Sequence, residues 1–302
     1  MKEAIVINNL SKSFGQVKAV QDLSFKVNEG ELFAFLGVNG AGKSTTISII
    51  CGTQSKDAGS VFIDGVDVSK ESDAIKKSVG IVFQQSVLDK SLSVKDNLLH
   101  RAALYGITGK AFEERVEELA LLLDFKSFIN RPVGKLSGGQ RRKIDIVRAL
   151  IHSPKILILD EPTTGLDPQT RSVIWSVVKK LRKEKNLTVL LTTHYMEEAT
   201  DADYVVIIDG GKKACEGTPH ELKNKYSHDY ITIYNIDDEQ AKLIDSDYEI
   251  VAGAHRFKVE NTKIATEKIV KNPELFNDYE ITKGDMDTVF LTVTGKKLTG
   301  DE

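Results

Sequence analysis

The sequence predicts an α/β protein built around a phosphate-binding loop, with a helical insertion, followed by a small α+β domain. Three observations predict it. An apolar pentapeptide, Leu32 to Leu36, runs into a glycine-rich loop and then a segment with apolar residues at helical spacing. A second apolar run, Ile156 to Leu159, ends in the adjacent acids Asp160 and Glu161, as a buried parallel strand would. After Tyr226 no further motif occurs, and short strand and helix patterns alternate as β-α-β-β-α-β.

Composition sets the bounds. The 302 residues are 41% hydrophobic, enough for a substantial core and about two domains by length. A net charge of −3 gives no support to bulk attraction to nucleic acid, and no nucleic-acid partner is expected. The two cysteines, Cys51 and Cys215, are far apart and outside any metal-ligand spacing, which points to a reducing compartment without structural zinc. Met1 to Leu10 lacks the pattern of a signal peptide, and no apolar run approaches the ~18 residues of a membrane span.

The elements follow in order. Ala4 to Leu10 and Val17 to Val27 read as strands, joined by a turn around Ser13-Phe14-Gly15-Gln16. In Gly37-Val38-Asn39-Gly40-Ala41-Gly42-Lys43-Ser44-Thr45 the glycines let successive backbone N–H groups turn inward. The helix that follows, through Ile50, offers its unsatisfied donors and positive dipole end to an anion. Lys43 is placed to reach the β- and γ-phosphates of a nucleotide, and the Ser44 hydroxyl to ligate Mg²⁺. Ser60 to Ile63 and Val79 to Phe83 are further strands, the latter ending at Gln84 and Gln85.

From about 86 to 152 the pattern turns helical. Ser93 can cap a helix through Tyr105, and Phe112, Val116, Leu119, Leu122 and Leu123 form a second apolar stripe. The strand Lys155 to Asp160 precedes a helix from about Pro168 to Lys185, then strands at Leu187 to Leu191 and Tyr204 to Asp209. In the tail, strands are expected at Tyr230 to Ile236, Tyr248 to Val251, Arg256 to Val259 and Tyr279 to Lys283. Helices fall between them at Asp237 to Ile244 and Thr262 to Lys271, an order that fits a ferredoxin-like unit. Met286 to Thr294 is a last amphipathic helix.

Asp160 and Glu161 reach the carboxyl edge of the sheet, where ligands of α/β folds bind. Asp160 is suited to hold Mg²⁺, and Glu161 to polarise a water beside the γ-phosphate; alternatively Glu161 caps a helix, since Pro162 follows. Leu136-Ser137-Gly138-Gly139-Gln140 opens another helix and makes a second anion-binding surface. Two such surfaces and one nucleotide pocket are reconciled by a dimer in which one chain covers the nucleotide of the other.

With the phosphate loop, Leu-Ser-Gly-Gly-Gln and Leu-Asp-Glu-Pro in this order, the chain resembles the ATP-binding subunit of an ABC transporter. The resemblance implies a P-loop NTPase domain of the ABC ATPase type over 1–227, its helical subdomain at about 86–152, and an accessory domain over 228–302. It implies ATP and Mg²⁺ as cofactors, with Gly37, Asn39, Gly40, Ala41, Gly42, Lys43, Ser44 and Thr45 around the phosphates. Gln84 matches the glutamine that contacts Mg²⁺ and the water, His194 the histidine that contacts the γ-phosphate, and Asp167 the loop that communicates across the dimer. Ser137, Gly138, Gly139 and Gln140 would face the partner's ATP.

Phe14 falls where the family stacks an aromatic on adenine, though a ring in a turn also serves packing. His194 at a strand end would otherwise be a structural hydrogen-bonder; its place in the motif order assigns it the γ-phosphate. Gly165 and Asp145 depart from the commonest residues at their positions without removing a catalytic group. The expected assembly is a homodimer or heterodimer of ATPase subunits under separately encoded polytopic permease subunits, on the cytoplasmic face of the cell membrane. Met286-Asp287-Thr288-Val289-Phe290-Leu291 and Thr163-Thr164-Gly165-Leu166-Asp167-Pro168 are similar to segments of the drug-resistance and ABC-2-type export group, so an exporter is expected. The alternative is a soluble ABC ATPase acting on ribosomes or DNA; such chains usually carry two cassettes or a long coiled-coil insertion, and this one has a single phosphate loop.

Overall fold

The computed structural model describes residues 2–70 and 72–296. Along the chain the first elements are β1 (Glu3–Phe14), β2 (Val17–Asn28), β3 (Leu32–Leu36), α1 (Lys43–Ile50), β4 (Ala58–Ile63), β5 (Val66–Asp67), α2 (Ser72–Ser78), β6 (Val79–Val82), α3 (Val94–Ala103), α4 (Gly109–Leu123) and α5 (Gly138–Leu150). There follow β7 (Ile156–Asp160), α6 (Pro168–Lys185), β8 (Thr188–Thr193), α7 (Met196–Thr200), β9 (Tyr204–Asp209), β10 (Lys212–Gly217) and α8 (Pro219–Tyr226). The last are β11 (Asp229–Ile233), α9 (Asp238–Ile244), β12 (Tyr248–Val251), β13 (Ala254–Val259), α10 (Thr262–Lys271), β14 (Tyr279–Thr282) and α11 (Met286–Thr294).

Two compact units result, Met1–Cys215 and Glu216–Glu302. In the first, a six-stranded sheet runs β10-β9-β3-β8-β7-β6, and β9, β3, β8, β7 and β6 are parallel. Every residue of β3, β7 and β8 is buried, which is why β3 and β7 carry continuous rather than alternating apolar runs; β8 buries three threonines beside its apolar centre. The register sets Leu36 opposite Thr193 and Asp160 opposite Thr192. The ends of β3, β7 and β8 therefore share one carboxyl edge, with the phosphate loop leaving from it.

A second sheet, β2-β1-β4-β5, is antiparallel and alternates buried with exposed residues along β1 and β2. Its inner face meets β3 through Phe25, whose ring lies 5.1 Å from that of Phe33 and 5.2 Å from that of Phe35. β1 runs on to Phe14, so only Gly15 and Gln16 form the expected turn. Helices α3, α4 and α5 make up the expected insertion, and α5 packs on β6 and α3.

In the second unit the sheet order β12-β13-β11-β14 is antiparallel throughout, the split β-α-β arrangement of a ferredoxin-like unit. Ile231, Ile233, Phe257, Val259, Leu275 and Phe276 form its core. The boundary expected at 227/228 lies after α8, whereas the compact units divide at 215/216, because α8 packs against α11. Thr218 and Glu221 close a capping box at the start of α8, a signal present in the sequence as Thr-Pro-His-Glu. The elements β5, α2, α7, β10 and α8 fall outside the expected set.

Candidate active site

Gly42 is the N-cap of α1 at φ 107, a conformation that suits glycine, and a Cβ there would lie 2.4 Å from the Ala19 carbonyl oxygen. No side chain caps this helix, so its first N–H groups remain open to an anionic ligand. Lys43 is buried; its Nζ donates to the carbonyls of Gly37 (2.6 Å) and Val38 (3.2 Å) and lies 3.6 Å from Glu161 Oε1. Burial pushes the Lys43 pKa below its ordinary value, against the pull of Glu161. Gly37 and Ala41 are buried, Thr45 is half-buried, and Asn39, Gly40 and Ser44 are exposed along the rim of the loop.

Asp160 ends β7 and accepts from Thr192 Oγ1 on β8 at 2.5 Å. Its burial pushes the carboxyl pKa up, opposed by that hydrogen bond. Glu161 adopts a left-handed backbone at φ 45, and its N–H donates to the Thr192 carbonyl at 3.0 Å. Its side chain, 6% exposed, is where four groups meet. Gln84 Nε2 donates to Oε2 at 3.0 Å and Thr164 Oγ1 at 3.4 Å, Lys43 stands by Oε1, and His194 Nδ1 lies 3.5 Å from Oε2. That last approach is not a hydrogen bond, and His194 Nδ1 is buried without a hydrogen-bond partner. The capping alternative for Glu161 falls, since the next helix begins at Pro168 and is capped by Asp167.

The other expected residues lie on two helix starts and a hairpin. Ser137 caps α5 in a capping box with Gln140; its oxygen accepts from the Gln140 N–H at 3.2 Å, which leaves the hydroxyl proton to donate. Ser137 and Gly138 are exposed, and Gly139 and Gln140 half-buried. Asp167 accepts from Thr170 Oγ1 (2.6 Å) and N (2.9 Å), and these bonds hold its carboxyl below the usual range. Phe14 ends β1 and is 48% exposed, and Lys12 Nζ stands 5.3 Å from its ring centroid. Lys12 is itself fixed by Asp57 at 2.9 Å.

Three further residues meet the site without having been assigned a role in it from the sequence. Thr164, in the segment similar to the export group, donates to Glu161. Arg142 is buried with its guanidinium on four backbone carbonyls, and Asp145 accepts from Ser86 Oγ at 2.9 Å. No spacing rule announces a cation that binds backbone atoms brought together by folding.

A glycine loop on a parallel sheet, a buried lysine, and two acids at the end of the strand next but one, β7, define a P-loop nucleoside triphosphatase. The family model described as ABC transporter matches residues 20–164. The Nod factor export ATP-binding protein I of Rhizobium etli is 34% identical over 309 residues, 98% of this chain and 94% of that protein. The doxorubicin resistance ATP-binding protein DrrA of Mycobacterium tuberculosis is 41% identical over 225 residues, 74% of this chain and 68% of that one. Among solved structures, a bacterial ABC transporter cassette solved as a dimer superposes with a TM-score of 0.65 at 28% identity, over 71% of this chain and 98% of that one. The same cassette in a post-hydrolysis state, bound to ADP and Pi, gives the same figures. The chain belongs to the ABC transporter family, as an ATP-binding, ATP-hydrolysing subunit.

Proposed function

We propose that this chain powers a bacterial exporter: it hydrolyses ATP as a dimer beneath separately encoded membrane subunits, on the cytoplasmic face of the cell membrane. The observation that carries the hydrolytic part is the convergence of Lys43, Gln84, Thr164 and His194 on the buried Glu161. Export is supported by the names of relatives aligned over most of the chain, which also weigh against action on ribosomes or DNA. Among the described residues no helix is long and apolar enough to cross a membrane, so a transport role requires a partner that does.

In the proposed mechanism the loop amides from Gly37 to Thr45 hold the phosphates, and Lys43 turns from the Gly37 and Val38 carbonyls to the β- and γ-phosphates. Phe14 stacks on the adenine. The residues present suit Mg²⁺: Ser44, Gln84 and Asp160 offer hard oxygen donors, and Mg²⁺ is ordinarily held by one or two carboxylates with phosphates and waters rather than an all-protein cage. The metal would offset charge on the phosphates. Glu161 orients and polarises the attacking water, and His194, beside Glu161, contacts the γ-phosphate. Ser137, Gly138, Gly139 and Gln140 face the partner's ATP, and Asp167 carries the state of one site toward the other.

The test is Glu161→Gln in the full chain. The variant is expected to retain ATP binding, lose at least about 100-fold in hydrolysis and accumulate as an ATP-bound dimer, read by light scattering after gel filtration. Monomers alone at saturating ATP would sink the sandwich mechanism. Affinity purification of the trapped variant from its native cell should bring down a polytopic membrane protein in stoichiometric amount.

A further inference from the structure

Helix α5 begins at the proposed partner-facing residues Ser137 to Gly139, and one turn in, its buried face grips the hydrolytic site of its own chain. The Arg142 Nε donates to the Pro162 carbonyl at 2.6 Å, Nη1 to that of Phe83 at 2.5 Å, and Nη2 to those of Glu161 at 2.9 Å and Asp160 at 3.3 Å. One planar fork thus spends four of its five donors on the two strand ends that carry Gln84 and Glu161. Three residues further along the same face, Asp145 accepts from Ser86 Oγ at 2.9 Å. The chain is therefore held at Phe83 and at Ser86, on either side of Gln84, whose amide reaches Glu161 Oε2 at 3.0 Å.

A cation and an acid are costly in a helix buried against a sheet unless they are satisfied by specific partners. Arg142 is 7% exposed and Asp145 5%. Packing alone would be met by apolar residues, so their chemistry answers to what they hold. The carbonyls of Asp160, Glu161 and Pro162 belong to the turn that keeps Glu161 in its left-handed conformation. Without a donor at that turn three buried carbonyls would lose a partner, and the angle at which Glu161 meets Gln84 would loosen.

We propose that Arg142 and Asp145 form a positioning clamp on α5 that fixes Glu161 and Gln84 in hydrolytic register and ties that register to engagement of the α5 N-terminus with the partner's nucleotide. Arg142 and Asp145 do not touch the reacting atoms; they act through Glu161 and Gln84. The inference rests on the roles given above to those two residues and to Ser137.

The test uses the full chain with Mg²⁺ and ATP, comparing Arg142→Lys and Ser86→Ala with wild type and Glu161→Gln. Arg142→Lys keeps the charge but loses the fork; Ser86→Ala removes the partner of Asp145 without altering the helix, so it remains informative if the arginine variant fails to fold. The expected result is a fall in kcat of at least about 10-fold for Arg142→Lys and about 3-fold for Ser86→Ala. ATP dissociation constants should stay within about 2-fold of wild type, and the Hill coefficient for ATP should fall toward one. Unchanged kcat in both folded variants overturns the clamp, as does a loss of ATP binding in proportion to the loss of rate. If Glu161→Gln itself hydrolysed at the wild-type rate, the underlying assignment would be at fault rather than the clamp.

Discussion

Glu161 holds a left-handed backbone conformation that costs a non-glycine residue roughly 1–3 kcal/mol, and it does so where four functional groups meet. The strain is offset by its N–H bond to the Thr192 carbonyl and by the Arg142 bonds to the carbonyls on either side. Elsewhere at this scale His152 gives a pH-dependent contribution. Its ring stacks on Tyr105 with centroids 4.0 Å apart, and Nε2 lies 3.1 Å from the Val79 carbonyl. Burial first, and then Arg101, Arg115 and Arg148, lower its pKa from 6.5 to about 4. Between those values the unfolded chain binds the proton and the folded chain does not. The stabilisation is therefore whole above about pH 6.5 and is lost as pH falls toward 4. Allowing for the partly exposed ring, this amounts to about 1–2 kcal/mol. His152→Phe, which keeps the stacked ring without a titrating nitrogen, should flatten the fall of Tm between pH 6.5 and 4; an unchanged slope would remove His152 from the account.

At the scale of elements, the central strands and α5 hold the site by close packing. Strands β7 and β8 are buried on both faces, so the carboxyl edge that carries Asp160 and Thr192 has little freedom to move. The approach of α5 to β6 is equally close: a Cβ on Gly80 would lie 2.3 Å from the Ala149 carbonyl oxygen and 2.9 Å from Pro154 Cγ. Gly80→Ala is expected to push β6 and α5 apart at a cost of about 2 kcal/mol, lowering Tm by roughly 4–8 °C. Because β6 leads into Gln84, its kcat should fall more than its ATP affinity. Calorimetry and steady-state hydrolysis read the two effects separately.

For the whole molecule, the location of the boundary between the two compact units has a practical consequence. α8 buries Pro219 and Leu222 and packs against α11, where Met286, Val289 and Phe290 are buried. A chain ended after Ser227, at the boundary the sequence suggests, keeps α8 but lacks the helix that covers it. Uncovering Leu222 alone forfeits about 1.5–3 kcal/mol. That truncation should bind a hydrophobic dye and sediment as larger species, whereas the full chain should do neither; indistinguishable behaviour would contradict the α8–α11 pairing as a source of stability.

The sequence by itself determined the strand–loop–helix around Lys43, the apolar strand that ends in Asp160 and Glu161, the capped start of α5 at Ser137, and the β-α-β-β-α-β order of the tail. These are local signals: periodicity, caps and glycine geometry act over a few residues and are written where they operate. Only the tertiary structure decided that Thr164 joins Gln84, His194 and Lys43 at Glu161, that Glu161 is left-handed, and that α8 belongs with α11. It alone explained Asp145, which is unusual for its position and meets a serine 59 residues away. Arg142 is the clearest case, because its partners are backbone carbonyls from two strand ends, and a backbone carbonyl has no letter in the sequence. Such contacts exist only once the parallel sheet has brought those ends to one edge.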